Sequence, residues 1–306
     1  MLFDLIDLRL FVTIAEVNNF TLSAERVHLT PTAAKKRIKE LEARVGIALI
    51  NSKSKHLQFT AAGLSFLTHA QQFLREVERL QADMQQYKDE LRGDVRILAN
   101  TTAVTEFMPE ILGNYLAQHP HVNVVLEERP NQDIMEGIQQ GTADIGIVAG
   151  PVHAEGVEVI SFSTDRLVLV TALEHPLAGS GRVSFNQTME YEHVGLHEGS
   201  TLQNFLHRIV SDQGQQLKLR IQVRSFEAMC RMVETNVGIA ILPLDAALRH
   251  KQTMQLSLIE LCDSWSVRER SLVVQCMEDL PLYARDLIDF IREETAHSMP
   301  IIKQAA

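Results

Sequence analysis

One stretch limits the fold of this chain more than any other, the segment from Thr30 to Val45. Its apolar residues Ala34, Ile38, Leu41 and Val45 recur at spacings of 4, 3 and 4, which puts them on one face of a helix. At about 100° per residue, Thr32, Lys35, Lys36 and Lys39 fall on the opposite face, and Arg37 flanks the apolar stripe. Thr30 is placed to cap the helix with its side-chain oxygen. Pro31 stands at the first helical position, where a missing N–H costs nothing, and Gly46 supplies the usual C-terminal stop. A helix held by one side and cationic on the other suits contact with a polyanion. Taken alone, it also fits an ordinary solvated surface helix.

The flanks narrow the choice. Leu5, Leu8, Phe11, Val12, Ala15 and Val17 recur at helical spacing, predicting a first helix over 4–18 that Asn18-Asn19 breaks. Thr21 is a candidate cap for a second helix, Leu22–His28, with Ala24 and Val27 inward. Two short helices joined by a tight turn make a helix-turn-helix, whose second helix enters the major groove and offers its N-terminal residues to base edges. After Gly46, two short apolar runs, Ala48-Leu49-Ile50 and Leu57-Gln58-Phe59, surround a polar tip. They predict a hairpin wing with Lys53 and Lys55 placed for phosphate or minor-groove contact.

Charge supports this reading once it is divided by region. The whole chain carries a net −10, which argues against a nucleic-acid binder, but residues 1–92 hold 13 Lys/Arg against 11 Asp/Glu. Between residues 26 and 56 there are eight basic residues and only Glu40 and Glu42 as acids. A basic patch on an acidic chain is the footprint of a local polyanion contact. Three scattered cysteines, Cys230, Cys262 and Cys276, form no C-x-x-C and fit a reducing compartment. Asp4 and Asp7 interrupt the first apolar run, so it does not read as a signal peptide. No stretch approaches the ~18 apolar residues of a membrane span. The expected location is the cytoplasm, with no membrane partner.

These residues carry a family resemblance. Phe11-Val12, Ala15-Glu16, Asn19-Phe20-Thr21, Ala24-Glu25-Arg26-Val27-His28-Leu29-Thr30, Ala33, Ile38-Lys39-Glu40-Leu41-Glu42, Gly46, Leu49 and Phe59-Thr60-Ala61-Ala62-Gly63 closely resemble the N-terminal domain of LysR-type transcriptional regulators. The resemblance implies DNA binding, with Thr32, Ala33, Lys35, Lys36 and Arg37 approaching bases. Thr21, Ser23, Thr30 and Lys39 are added as candidate DNA contacts, and the wing residues Lys53 and Lys55 would hold the backbone. The chain departs from the family pattern at Pro31, Lys35 and Ile50-Asn51-Ser52, changes that keep or add positive charge.

From Thr60 onward a long helix is expected. Phe66, Ala70, Phe73, Val77, Leu80, Met84, Tyr87 and Leu91 alternate at spacings of 4 and 3, an a/d seam with charged flanks. Phe66, Phe73, Val77, Leu80, Met84, Tyr87 and Leu91 are therefore expected to dimerise, presenting two reading helices to a pseudo-palindromic site. One side of an intramolecular core is the plainer alternative.

Beyond Arg92-Gly93 strands alternate with helices, the signature of an α/β fold. Val95–Ala99, Val122–Leu126, Ile145–Ala149, Val157–Ser163, Arg166–Thr171, Leu219–Val223, Ile239–Leu242 and Ser271–Met277 are expected strands. Thr201–Gly214, Phe226–Asn236 and Pro281–His297 are expected helices. Gly141-Thr142-Ala143-Asp144-Ile145-Gly146-Ile147 and Val237-Gly238-Ile239-Ala240-Ile241-Leu242-Pro243 resemble signatures of the periplasmic-binding-protein-like effector domain of the same regulators. The predicted fold is thus α/β overall. An all-α winged helix-turn-helix occupies 1–60 and a long linker and dimerisation helix 61–92. A two-lobed effector domain covers 93–306, with lobe I about 93–162 and 267–306 and lobe II about 163–266.

Open α/β sheets bind ligands at the carboxyl ends of their strands. Asn100-Thr101-Thr102 and His197-Glu198-Gly199-Ser200-Thr201 lie at such ends just before helices, whose N-termini attract anions. The resemblance assigns the effector cleft to Thr101, Thr102, Ser200 and Thr201. Asn100, Gly150, His197 and Phe226 are further candidates, and Arg129 could grip a carboxylate with two bonds or simply lie on the surface. A small organic acid or other anion is the expected effector, with no cofactor.

His119/His121 and His193/His197 lack the Cys or carboxylate spacing of a metal site, and no G-x-S-x-G, P-loop, H-E-x-x-H or G-x-G-x-x-G occurs. The expectation is a regulator and not an enzyme. It would act on a double-stranded DNA operator as a homodimer or homotetramer, with RNA polymerase as a further partner if it activates. A helix-turn-helix head fused to a catalytic α/β domain is the alternative.

Overall fold

Asp4 starts the first helix. In the computed structural model, which describes residues 3–51, 57–86, 91–152 and 155–296, its side chain accepts from the Asp7 backbone N–H at 2.8 Å while Asp7 accepts from the Asp4 N–H at 3.2 Å. This reciprocal capping box satisfies two orphan donors at once. Helix α1 (Leu5–Val17) ends on Asn18, in the left-handed region at φ 52°. Asn19, rather than the expected Thr21, caps α2 (Phe20–Arg26), its carbonyl accepting from the N–H groups of Thr21 and Leu22. Thr21 stands two positions too late: its own N–H is among the donors that need a cap. Helix α3 (Pro31–Val45) is capped by Thr30, whose hydroxyl oxygen accepts from the Ala33 N–H at 3.2 Å, and it closes on Gly46 at φ 79°.

Leu10, Phe11, Ile14, Ala24, Ala34, Ile38, Leu41 and Leu49 form one buried cluster, so the apolar stripe of α3 is its inward face. Ile50 and Phe59 pair as an antiparallel bridge at the base of the wing. The wing tip, with Lys53 and Lys55, lies outside the described residues. Helix α4 (Ala61–Gln86) follows. It starts against the wing so closely that a Cβ on Gly63 would sit 2.0 Å from the Leu49 carbonyl oxygen, so only glycine fits there.

The chain divides into two compact units, the first built on residues 1–90 and the second mainly on 91–139 and 143–306. In the second unit, β1 (Gly93–Ala99), β2 (Val122–Glu128) and β3 (Ile145–Ala149) are mutually parallel, with β1 central. A π-helical turn, Ala103–Phe107, leads into α5 (Met108–Gln118), and α6 (Asn131–Gln139) joins β2 to β3. Strand β4 (Glu158–Ala172) is continuous where the sequence suggested two strands. Its first half pairs with β10 (Val267–Val274) and its second half with β8 (Ala240–Pro243) and β9 (Leu256–Leu261). The main sheet runs β2-β1-β3-β10-β4-β9-β5, with β5 at Arg182–Val183 and β8 added on β4. A separate parallel pair, β6 (His193–Leu196) and β7 (Leu219–Val223), is tied to the β8 side by a bridge from His193 to Ile239. The remaining helices are α7 (Phe185–Thr188), α8 (Thr201–Asp212), α9 (Phe226–Glu234), α10 (Leu244–Lys251) and α11 (Leu282–Ala296).

We call the β1–β3 side lobe I and the β6–β9 side lobe II; β4 runs through both, and β10 pairs with β3 and the first half of β4. The polar break in β4 holds because Asp165, 1% exposed, pairs with Arg268 and Arg270 of β10. Arg270 also reaches Asp245 at 2.7 Å, and the two guanidinium groups lie over the rings of Phe205 and Phe107. Buried charges persist when paired and hydrogen-bonded. Among the described residues, no helix is long and apolar enough to cross a membrane.

Candidate nucleic-acid interface and ligand cleft

On α3 the outward face is Thr32, Lys35, Lys36 and Lys39, all exposed, with Ala33 half-buried. Lys36 has one weak intrahelical partner, Glu40 at 3.7 Å. Arg37 departs from the expected role. It bonds Asp4 and, through Nε at 2.8 Å, Asp7, both at the start of α1. Arg44 reaches the other oxygen of the fully buried Asp7 at 2.8 Å. Two guanidinium groups thus clamp α3 to α1. The Asp7 N–H, followed by the Arg37 guanidinium, holds the Asp4 carboxyl below its usual range, and Arg37 is raised in turn, chiefly by Asp4.

Ser23 is a second correction. It is fully buried and donates to the Asn19 and Thr13 carbonyl oxygens, so it braces α2 and is not free for DNA. Thr21 and Thr30 are exposed. Glu42, part of the sequence resemblance but given no role of its own, accepts from the Leu49 and Ile50 N–H groups at 2.8 and 2.9 Å and fixes the wing to α3.

The seam expected on the long helix divides. Phe66 belongs to the head: its ring meets Phe3 and Phe11 edge-on at 5.8 and 5.1 Å. Phe73, Leu80 and Met84 are more than half exposed, and Val77 is half-buried. Leu91 precedes β1 and is not helical, because β1 begins two residues later, and Tyr87 lies outside the described residues.

In the second unit, a cleft of about 450 Å³ lies where strands of both lobes end. Thr101 follows β1, Glu128 to Pro130 close β2, His197 to Thr201 follow β6, and Arg224 follows β7. The Thr101 hydroxyl donates to Glu128 Oε1 at 2.6 Å. Ser200 is the N-cap residue of α8, yet its hydroxyl makes no cap bond; 3% exposed, its Oγ has no partner among the described residues, and neither has His197 Nδ1. Thr201 Oγ1 accepts from the Asn131 N–H at 3.1 Å, joining the lobes at the edge shared with a neighbouring cleft of about 390 Å³.

Other candidates are placed differently. Asn100 is buried and caps the π-helical turn through the Ala103 N–H; Thr102 is buried beside it. Gly150, at φ 88°, ends β3 and donates to the Glu269 carbonyl oxygen. Arg129 borders the cleft, but its guanidinium is held by Glu127 at 2.7 Å. Phe226, 3% exposed, belongs to the lobe II core and not to the cleft, because the apolar face of α9 begins with it. Glu128 and Arg224 were missed, although each sits at a strand end that the rule applied to β1 and β6 also covers. Among the histidines, His119 faces Asp286 at 3.5 Å, and His193 is buried against Tyr191 and Thr188, with burial pushing it down to about 4. No group of His, Cys, Asp and Glu among the described residues is arranged to hold a metal ion.

A helix-turn-helix with a free cationic helix, in one chain with a two-lobed α/β domain that has a cleft at its strand ends, defines a DNA-binding transcriptional regulator with its own ligand-binding domain. The family model for the bacterial regulatory helix-turn-helix protein of the LysR family matches residues 5–64, and that for the LysR substrate binding domain matches residues 88–296. The chain belongs to the LysR family of transcriptional regulators. It is 25% identical over 292 residues to the RuBisCO operon transcriptional regulator of Allochromatium vinosum, covering 94% of this chain and 95% of that one. It is 23% identical over 254 residues to the HTH-type transcriptional regulator CysL of Bacillus subtilis (strain 168), covering 83% and 85%. Its fold is similar to that of full-length CbnR in complex with target DNA, with a TM-score of 0.67 at 18% identity over 95% of this chain and 99% of that one. A full-length OxyR variant from Pseudomonas aeruginosa gives a TM-score of 0.74 at 19% identity, covering 94% and 97%.

Proposed function

We propose that this LysR-family regulator reads its operator with Thr32, Ala33, Lys35, Lys36 and Lys39 of α3 in the major groove. Thr21 and Thr30 lie near the backbone and the wing lysines Lys53 and Lys55 bind phosphate. The observation that carries this reading is that the lysines of α3 are exposed while both of its arginines, Arg37 and Arg44, are engaged by α1. Exposed Phe73, Leu80 and Met84, with Val77, support dimerisation through α4, and a pair of dimers gives a homotetramer. The cytoplasm is the proposed site of action, with RNA polymerase a partner if the protein activates.

We further propose that a small organic acid or related anion binds the cleft at Thr101, His197, Ser200 and Thr201. The start of α8, with its free N–H groups and positive dipole end, supports an anion there. Binding would change lobe closure and so the spacing of the DNA-binding heads; the protein itself performs no chemistry on the ligand.

The test is a gel-shift titration over several salt concentrations with Lys35→Ala/Lys36→Ala protein. Losing two cations from the DNA interface, and with them the counterions they displace, is expected to weaken binding and to lower the slope of log affinity against log salt by roughly 2. An unchanged slope and affinity would remove α3 as the reading helix.

A further inference from the structure

The two sides of the cleft carry opposite charge. On lobe I, Glu128 makes no ion pair among the described residues; its Oε1 accepts only the Thr101 hydroxyl, at 2.6 Å. The neighbouring Arg129 does not neutralise it, because that guanidinium is paired with Glu127. On lobe II, Arg224 likewise makes no ion pair among the described residues, and it borders the same cleft as Glu128. Beside it are the start of α8, the unpartnered Ser200 hydroxyl and the unpartnered Nδ1 of His197. Ser200 is 97% buried by its 3% exposure, so its hydroxyl is a built donor and not a surface group.

We infer that the effector is an α-amino acid or close analogue, its carboxylate on Ser200, Arg224 and the start of α8, and its ammonium on Glu128. This rests on the anionic reading of the cleft and sharpens it. A plain organic acid satisfies lobe II but leaves the Glu128 carboxylate facing the ligand without a counter-charge. Sealing the lobes over that carboxylate buries an unpaired charge, which is strongly unfavourable. An ammonium answers it, and each end of the zwitterion then bonds a different lobe. The same molecule that fills the cleft therefore favours closure, since its two ends gain full partners only when both lobes are present. The cleft volume of about 450 Å³ suits a ligand of this size.

The test is isothermal titration of the full-length protein with the proteinogenic α-amino acids and with the 2-hydroxy and unsubstituted acid corresponding to each. At least one amino acid is expected to bind, with its 2-hydroxy and unsubstituted counterparts roughly tenfold or more weaker, as loss of a charge-assisted bond implies. Glu128→Gln should abolish that preference, lowering amino-acid affinity and sparing the counterparts. Glu128→Asp should keep part of it, and an unchanged unliganded melting temperature in both variants shows that they fold. Ser200→Ala should weaken amino acids and plain acids alike. Counterparts binding as tightly as amino acids, or a preference that survives Glu128→Gln, overturns the inference and leaves the anionic reading intact. If plain 2-hydroxy or unsubstituted acids bind while no amino acid does, the inference fails alone. If neither kind binds, both fail.

Discussion

Two helices begin with the same kind of residue and use it in opposite ways. At the start of α3, the Thr30 hydroxyl oxygen accepts from the Ala33 N–H, and the helix end is sealed by its own cap. At the start of α8, Ser200 holds the same position but caps nothing, and the next residue, Thr201, accepts from Asn131 across the cleft. A sealed helix start leaves side chains to meet a polyanion, and α3 has a row of exposed lysines. An open start leaves backbone N–H groups and a buried hydroxyl uncapped, which supports the small anion proposed for the cleft. In the proposed reading the two regions meet anions at different scales, one along a rod and one at a point.

The clamp that keeps α3 in place is the first part of the comparison to break. Asp7 is fully buried between Arg37 and Arg44. Asp7→Asn should destabilise the head by about 2–3 kcal/mol, less than a fully buried pair because both arginines are partly exposed. Hydrogen exchange of α1 and α3 amides reads this within the intact chain. A loss below about 1 kcal/mol would mean that the apolar stripe alone orients α3.

How far this was legible follows from the range of each signal. Caps and apolar stripes act over one or two turns, so α3, its cap and its stop could be read directly. Arg37 could not, because its partners Asp4 and Asp7 lie about thirty residues away on another helix, as separations of 33 and 30 show. The same limit divided β4 at Thr164-Asp165, since only the buried arginines of β10 make a carboxylate acceptable in mid-strand. Strand β9 went unassigned in a stretch where alternation is weak. In the cleft, the strand-end rule found Thr101, Ser200 and Thr201 but was not carried to β7, where it would have found Arg224. Phe226 was misplaced because a helix start looks alike from sequence whether it opens on a cleft or a core.

Smaller effects sharpen the contrast. Thr30→Ala should cost about 1 kcal/mol, the usual worth of a cap, visible as faster exchange in the first turn of α3. Acid should loosen the same head through Asp4, whose folded pKa is lowered from 3.8 by the Asp7 N–H and then by Arg37. A depressed folded pKa adds stability that is present above the unfolded value and is lost as pH falls through the folded one. Asp4→Asn should therefore weaken the head near neutral pH and make no difference at the acid limit. Equal effects at both would contradict the pairing.

The smallest expected change in stability is the most telling. Ser200→Ala removes a buried hydroxyl that bonds nothing, so the unliganded protein should keep its stability within about 0.5 kcal/mol or gain slightly, since an unpaired buried polar group is itself unfavourable. Thr30→Ala, which removes a capping hydroxyl together with a methyl group at the same helix position, should not be neutral. Paired urea titrations of the two variants make the comparison direct. If Ser200→Ala costs as much as Thr30→Ala, then Ser200 is an ordinary cap, the start of α8 is sealed like that of α3, and the cleft loses the buried unpaired hydroxyl that supports an anion there.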